Sequence, residues 1–458
     1  MAKKKQIELT IEEKLQNALV PKEEQPYKIP NNWCWVRLGN ITQIKGGKRI
    51  PKGTSLLKEN TGYKYIRVTD MKNGTVLNDD IHYISKDIYN KISNYTISKN
   101  DIYITCAGTI GRVGIIPVEF DGANLTENAD KIIIKHINKN LLVKVLSSYI
   151  VQKQIQEVIT TGCQPKLAIK KIEQLKIPLP PINEQQRIVE RIESLFVKLD
   201  RAKELIENTL AQFEQNKMAI LHKAFIGELT AKWRKENNID LSSWQEKTID
   251  ELCTSLKYGT SKKSKPEGSV VVLRMGNLQN GEIDWSNLMY TDDKDDIEKY
   301  LLKKGDVLFN RTNSPELVGK TSIYRGEYPA IYAGYLIKLD YGKDIIGEYL
   351  NYMMNSTKAK HYCYTVKTDG VSQSNINAKK IGAFEIPVPT IEEQQEIVNI
   401  LDKLLAKYNK IKNLEQQLEK IELLKKAILA KAFSGELGTN NPDEESAENL
   451  LKEILAEK

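Results

Sequence analysis

A chain of 458 residues exceeds what one hydrophobic core normally supports, and 40% hydrophobic against 28% charged residues excludes a disordered polypeptide. The net charge of +8 is mild; it is compatible with an anionic partner such as nucleic acid without requiring one. No apolar run approaches the roughly 18 to 20 residues that span a bilayer, and the opening "MAKKKQIELTIEEK" lacks the apolar centre of a signal peptide, so the expectation is a cytoplasmic protein with no membrane partner.

In chain order, the first half offers short runs rich in β-branched and aromatic residues, "YKYIRV", "DIYITC" and "KIIIKH", separated by clusters of Gly, Asn, Asp and Lys, which predict strands of a mixed α/β domain. The proline-rich "IPLPP" then predicts an extended connector, because proline holds its predecessor out of the helical region. From Ile188 the apolar positions step by four and three through Ile192, Leu195, Leu199, Ala202, Ile206, Thr209, Phe213, Asn216 and Ile220, a heptad seam with two polar interruptions. The second half repeats the plan. Strands are predicted at "SVVVLRM", "DVLFNR" and "AIYAGYLIKL", followed by "IPVPT" and a second seam of Ile397, Leu401, Leu404, Tyr408, Ile411, Leu414, Leu418, Ile421, Leu424 and Ile428.

The two halves are copies. "IPLPPINEQQRIVERI" from Ile177 returns as "IPVPTIEEQQEIVNIL" from Ile386, 209 residues later, and "LHKAFIGEL" returns as "LAKAFSGEL". "TTGCQPKLAIKKIEQLKI" is likewise echoed by "TDGVSQSNINAKKIGAFEI". A repeat this long means two whole domains rather than solenoid units. An apolar stripe as long as either helical seam must be covered, and the other copy in the same chain is the nearest cover. The predicted boundaries are 1–176 for a first globular domain with an N-terminal helical arm, 177–230 for a central helical spacer, 231–385 for a second globular domain, 386–438 for a distal spacer and 439–458 for a C-terminal tail.

The entry segment "LTIEEKLQNALVPKEEQPYKIPNNWCWVRLG", the "IPLPP…EQQRIV" connector and helix, and the "KAFIGELTAKWR" exit resemble the specificity subunit of a type I restriction-modification system over essentially the whole chain. The resemblance implies an α+β fold with two target-recognition domains, separated by two long helices that pair antiparallel. It also implies double-stranded DNA as ligand, two adenine-methyltransferase (modification) subunits and a restriction subunit as partners, and a noncatalytic role in which S-adenosylmethionine, ATP and magnesium belong to those partners. A duplicated protein suits a split DNA target, one domain for each half, with the helices as a spacer. A coiled-coil scaffold that binds no DNA is the alternative, and salt-dependent duplex binding separates the two.

Two lysine-rich loops are candidate phosphate contacts: Lys45, Lys48 and Lys52 with Arg49 in "QIKGGKRIPKG", and Lys257, Lys262, Lys263 and Lys265 in "LKYGTSKKSKPEG". A merely solvated loop is the competing explanation. Base reading needs directional groups. Arg49, Arg112, Arg311, Asn313, Gln164 and Gln373 are the candidates, with Lys166 and Asn375 beside the last two glutamines. Arg67 and Arg274 hold equivalent places in the two copies, which points to scaffold or phosphate work. Glu184, Gln185 and Gln186, with Glu393, Gln394 and Gln395, recur off the seam and are candidates for the methyltransferase-docking surface.

Catalytic and metal motifs are not found. "SPELVGKT" misses a phosphate-binding loop because Ser314 stands where its first glycine belongs, and no Asn or Asp precedes Pro-Pro-Tyr or Pro-Pro-Phe. His82, His136, His222 and His361 are dispersed, and Cys34, Cys106, Cys163, Cys253 and Cys363 contain no C-x-x-C pair. No cofactor and no metal are expected.

Overall fold

In the computed structural model, residues 10–159, 165–406 and 412–457 are described. They form two compact units, one of residues Met1–Leu205 with Gln416–Lys458 and the other of Ile206–Glu415.

In the first unit a four-stranded sheet runs in the order Thr42–Gly46, Ala129–Ile134, Ile102–Thr105, Val113–Ile115, all neighbours antiparallel. Its second sheet orders His82–Tyr83, Lys64–Ile66, Ala123–Leu125 and Thr96–Ile97, with one parallel pair at its centre. The second unit repeats the first sheet as Cys253–Tyr258, Leu336–Tyr341, Val307–Asn310, Thr321–Ile323. Its counterpart of the second sheet has three strands, Tyr290–Thr291, Val270–Leu273 and Ala330–Tyr332, again with one parallel pair. The duplication seen in the helices therefore extends to strand order in the domains whose sequences diverge.

The proline-rich connectors are strands. Lys176–Leu179 pairs with Cys34–Arg37, and Glu385–Val388 pairs with Gln245–Thr248. Each ladder has only two strands, so Pro178 and Pro387 sit at an edge where a missing N–H is tolerated. From the first connector springs the helix Ile182–Phe225, 44 residues and about 66 Å at roughly 1.5 Å per residue. The second connector leads into Ile391–Ala406, and Lys412–Phe433 follows. Tyr408 and Ile411 of the predicted seam lie outside the described residues.

Within the first unit, Lys425 bonds Asp200 and Lys203 bonds Glu422, so one helix climbs in number as the other falls: the pairing is antiparallel. Within the second, Leu221, Ala224 and Phe225 share a core with Ile397, Val398 and Leu401. Among the described residues, the predicted seams depart from expectation at Asn216, which is exposed, and at Leu424. Leu424 is exposed, while Leu418, Ile421, Lys425, Ile428 and Ala432 step by three and four along the covered face. Lys425 continues the heptad because its aliphatic stem covers the face while its ammonium reaches Asp200 and lies 5.3 Å from the Phe196 ring centre.

Segment 439–458 is not a tail. Its helix Ala447–Ala456 buries Ala447, Leu450, Leu451, Ile454 and Leu455 in the core that holds Val36, Leu38 and Ile188. Cys34, Cys106 and Cys363 are buried as small apolar groups, and Cys163 lies outside the described residues. No helix of the described residues is long and apolar enough to cross a membrane.

Candidate nucleic-acid interface

Both lysine-rich loops leave their sheet at a glycine that nothing else can replace. A Cβ on Gly47 would stand 2.0 Å from the Thr126 carbonyl oxygen, and one on Gly259 would stand 2.1 Å from that of Tyr332. The crossing is held by backbone bonds, Lys48 N–H to Leu125 O at 2.8 Å in one unit and Thr260 N–H to Tyr332 O at 2.9 Å in the other. The close approach fixes where the lysines start.

In the first unit Lys45, Lys48, Arg49 and Lys52 are exposed. Arg49 pairs with Glu127, and the Lys48 ammonium lies 5.5 Å from the Tyr95 ring centre. Lys166 is exposed and bridges to Ala107, and Leu167 N–H bonds Cys106 O at 2.9 Å, which brings Lys166 to the same sheet end as Glu127 and Asn128. Arg112 is exposed and its guanidinium donates to the Met71 carbonyl at 3.3 Å. Gln164 lies outside the described residues. Beneath Gly46, Asp130 is buried with Oδ2 unpartnered; burial pushes its carboxyl up to about 6, against the pull of nearby Lys166.

The second unit gathers its candidates more tightly. The Arg311 guanidinium stacks 4.9 Å from the Tyr258 ring centre and donates to Asn375 Oδ1 at 3.1 Å, while Asn375 Nδ2 donates to Thr312 Oγ1 at 2.9 Å. Asn313 belongs to the small sheet of Thr312–Asn313, Ser374–Asn375 and Thr368–Asp369, and Gln373 and Val371 are exposed on the hairpin turn between its last two strands. This arginine, held in plane by a ring and an amide, has the rigidity that bidentate base recognition needs. The pairing of Thr312 with Asn375 occupies the place of the Ala107–Lys166 bridge in the first unit. Sequence reading missed Tyr258 and Glu127; Tyr258 has the local signal of an aromatic before Gly259, while Glu127 carries none, because its partner Arg49 lies 78 residues away.

Not all lysines are free to meet an anion. Lys257 pairs with Asp340 at 2.7 Å and Lys262 with Asp293 at 2.6 Å, and the Asp293 hydrogen bond holds the Lys262 ammonium above the usual lysine range. Lys263 and Lys265 are exposed. Arg67 is tied to Asp70 at 2.7 Å and Asp80 at 3.0 Å, and Arg274 to the Asn287 carbonyl at 2.7 Å, so both are scaffold.

The repeated "EQQ" needs a correction. Glu184, Gln185, Glu393 and Gln394 are wholly buried and cannot form a docking surface. Trp33 Nε1 donates to Glu184 at 2.7 Å, and Thr439 and Asn440 donate to the same carboxylate. Trp244 Nε1 donates to Glu393 at 2.9 Å, beside Thr230 and the Arg234 guanidinium at 2.6 Å. Gln185 accepts from Asn138 N–H and donates to Pro180 O; Gln394 accepts from Ile346 N–H and donates to Pro389 O. The repeated polar residues bolt connector, helix and domain together. Only Gln186 and Gln395 of the six are exposed.

The chain is similar to known proteins. The model of a family described as "Type I restriction modification DNA specificity domain" matches residues 30–214 and again 242–423. The type I restriction enzyme EcoKI specificity subunit of Escherichia coli (strain K12) is 26% identical over 459 residues, covering 94% of this chain and 96% of that one. The EcoBI specificity subunit of Escherichia coli is 34% identical over 213 residues, 46% of this chain and 44% of that one. Among solved structures, a chain from "Structural basis underlying complex assembly and conformational transition of the type I R-M system" has a TM-score of 0.66 at 19% identity, covering 90% of this chain and all of that one. The HsdS subunit from Thermoanaerobacter tengcongensis has a TM-score of 0.50 at 20% identity, covering 90% and 99%. These last two likenesses concern the fold.

Proposed function

Since the chain belongs to the type I restriction-modification DNA specificity family, we propose that it is the noncatalytic subunit that chooses the DNA sequence, each globular domain reading one half of a bipartite duplex target. Residues 1–176 and 231–385 are the two readers, 177–230 and 386–438 are the helical segments that set the gap between half-sites, and the site of work is the cytoplasm. Methyltransferase subunits dock on the helical segments, with Gln186 and Gln395 on the docking surface, and a restriction subunit completes the assembly. Chemistry resides in those partners.

One observation carries the reading: the same sheet, glycine crossing and strand-end pairing recur in two units, but with different side chains at the reading position. Cys106 precedes the bridged Ala107 in one, and Arg311 precedes the paired Thr312 in the other. A common scaffold with divergent tips is what two readers of different half-sites require. Arg311, Asn375, Asn313 and Gln373 are the directional groups of the second reader. Lys45, Lys48, Lys52, Lys263 and Lys265 supply phosphate contacts, and Arg49, Arg112 and Lys166 serve the first reader.

The test is to exchange residues 231–385 for the same segment of a relative and map methylation in cells that carry the complete system. One half-site changes and the other stays. Simultaneous change of both would end the modular reading.

A further inference from the structure

Within the second unit, a cleft of about 360 Å³ separates the long helix from the recognition domain. The helix contributes Glu214, Lys217 and Met218 to it, the loop after Arg311 contributes Glu316 and Lys320, and the helix Thr357–Val366 contributes Lys360. Three lysines thus meet two glutamates. Among the described residues none of these lysines makes an ion pair: Lys320 Nζ donates to the Gln279 amide oxygen at 2.8 Å, and Lys360 Nζ reaches only the Met218 sulfur at 3.8 Å. Burial pushes the Lys320 ammonium below the usual lysine range. Burial also pushes Lys360 down, helped by the positive fields of Lys217 and Lys320 and opposed by that of Glu214. Lys360 keeps an exposed side chain, but gathering three ammonium groups without an ion-paired carboxylate is costly, most of all at the half-buried Lys320, and an arriving anion lowers that cost.

We propose that this cleft holds a backbone phosphate of duplex DNA beside the half-site read by the second domain, with Lys320 and Lys360 as its ligands and Lys217 at its edge. This rests on the DNA-reading function of that domain. Two observations favour a phosphodiester over a free nucleotide. The N–H groups of Leu317, Val318 and Gly319 already donate to Ser314 and Asn310 carbonyls, so the near-motif "SPELVGKT" offers no backbone cradle for a polyphosphate. The loop that carries Lys320 also begins at Arg311 and Asn313, so a phosphate seated here fixes the register of those readers.

The experiment measures duplex affinity of the full chain, in its methyltransferase assembly, against salt concentration, using the target located by methylation mapping. Lys320→Met and Lys360→Met should each lower the slope of log K against log salt by about 0.9, with half-site preference unchanged. Lys320→Arg should restore the slope. A neutral methylphosphonate at one linkage should weaken the wild type and leave Lys320→Met no weaker than it already is. If the slope is unchanged but inorganic phosphate or ATP raises the melting temperature of the wild type and not of Lys320→Met, the ligand is a free anion and the proposal fails. Unchanged slopes and no anion effect would remove the site altogether. A wild type without salt-dependent duplex binding would instead overturn the proposed function itself.

Discussion

The Trp244 indole N–H donates to the buried Glu393 carboxylate at 2.9 Å, and the same bond joins Trp33 to Glu184 at 2.7 Å in the other unit. The two bolts differ in their electrostatics. Glu393 is neutralised by Arg234, whose side chain is 9% exposed, whereas Glu184 is met by the neutral donors Trp33, Thr439 and Asn440. Removing one partner of a buried ion pair strands the other, at about 3–5 kcal/mol. Glu393→Gln should therefore destabilise the second unit by that order, and Glu184→Gln the first by roughly 1–3 kcal/mol. Hydrogen exchange, read separately over each unit, measures both; equal losses would contradict the contrast.

The glutamines separate in the same way. Gln186→Ala with Gln395→Ala should leave the melting temperature within a degree or two and weaken co-purification with the methyltransferase. Gln185→Ala or Gln394→Ala should instead loosen the fold, because each would leave a helix-start N–H and a proline carbonyl without a partner. Full co-purification of the Gln186/Gln395 double variant would remove these two residues from the docking surface.

Arg311 is held between Tyr258 and Asn375, and lysine can reproduce neither the stack nor the fork. Arg311→Lys should cost about 1–3 kcal/mol in discrimination at one base pair of one half-site. Competition binding with single-base variants of both half-sites locates the loss. An equal loss at every position would make Arg311 a phosphate contact.

Asp130 gives a pH dependence of definite sign. Its carboxyl is raised by burial from the ordinary carboxylate value to about 6, so between roughly pH 4 and 6 the folded chain holds a proton that the unfolded chain releases. Stability from this group is present at low pH and falls as the pH rises through 6. Asp130→Asn should raise the stability of the first unit at pH 7.5 and change it little at pH 4.5. A variant less stable than wild type at pH 7.5 would show that the ionised carboxylate is a structural partner.

Much of the architecture was readable in advance because it is periodic or local. The heptad from Ile188 and the proline connectors depend on neighbours within one or two turns, and the repeat shows as like residues in like order. The same logic failed at Leu424. Periodicity favours the more apolar of two adjacent residues, while the packed helix turns Lys425 inward because Asp200 and Phe196 lie opposite it.

The sequence by itself determined that the chain is double, that each copy has a divergent strand-rich front and a shared helical back, and which loops are basic. Tertiary structure decided what the shared residues do. Glu184 meets Trp33 and Asn440 across 151 and 256 residues, Arg311 meets Asn375 across 64, and the helix Ala447–Ala456 joins the N-terminal unit rather than trailing behind the second. A repeated polar residue reads alike whether it faces a partner or a buried indole, because its cost depends on desolvation and hydrogen-bond partners that arrive only when distant segments meet.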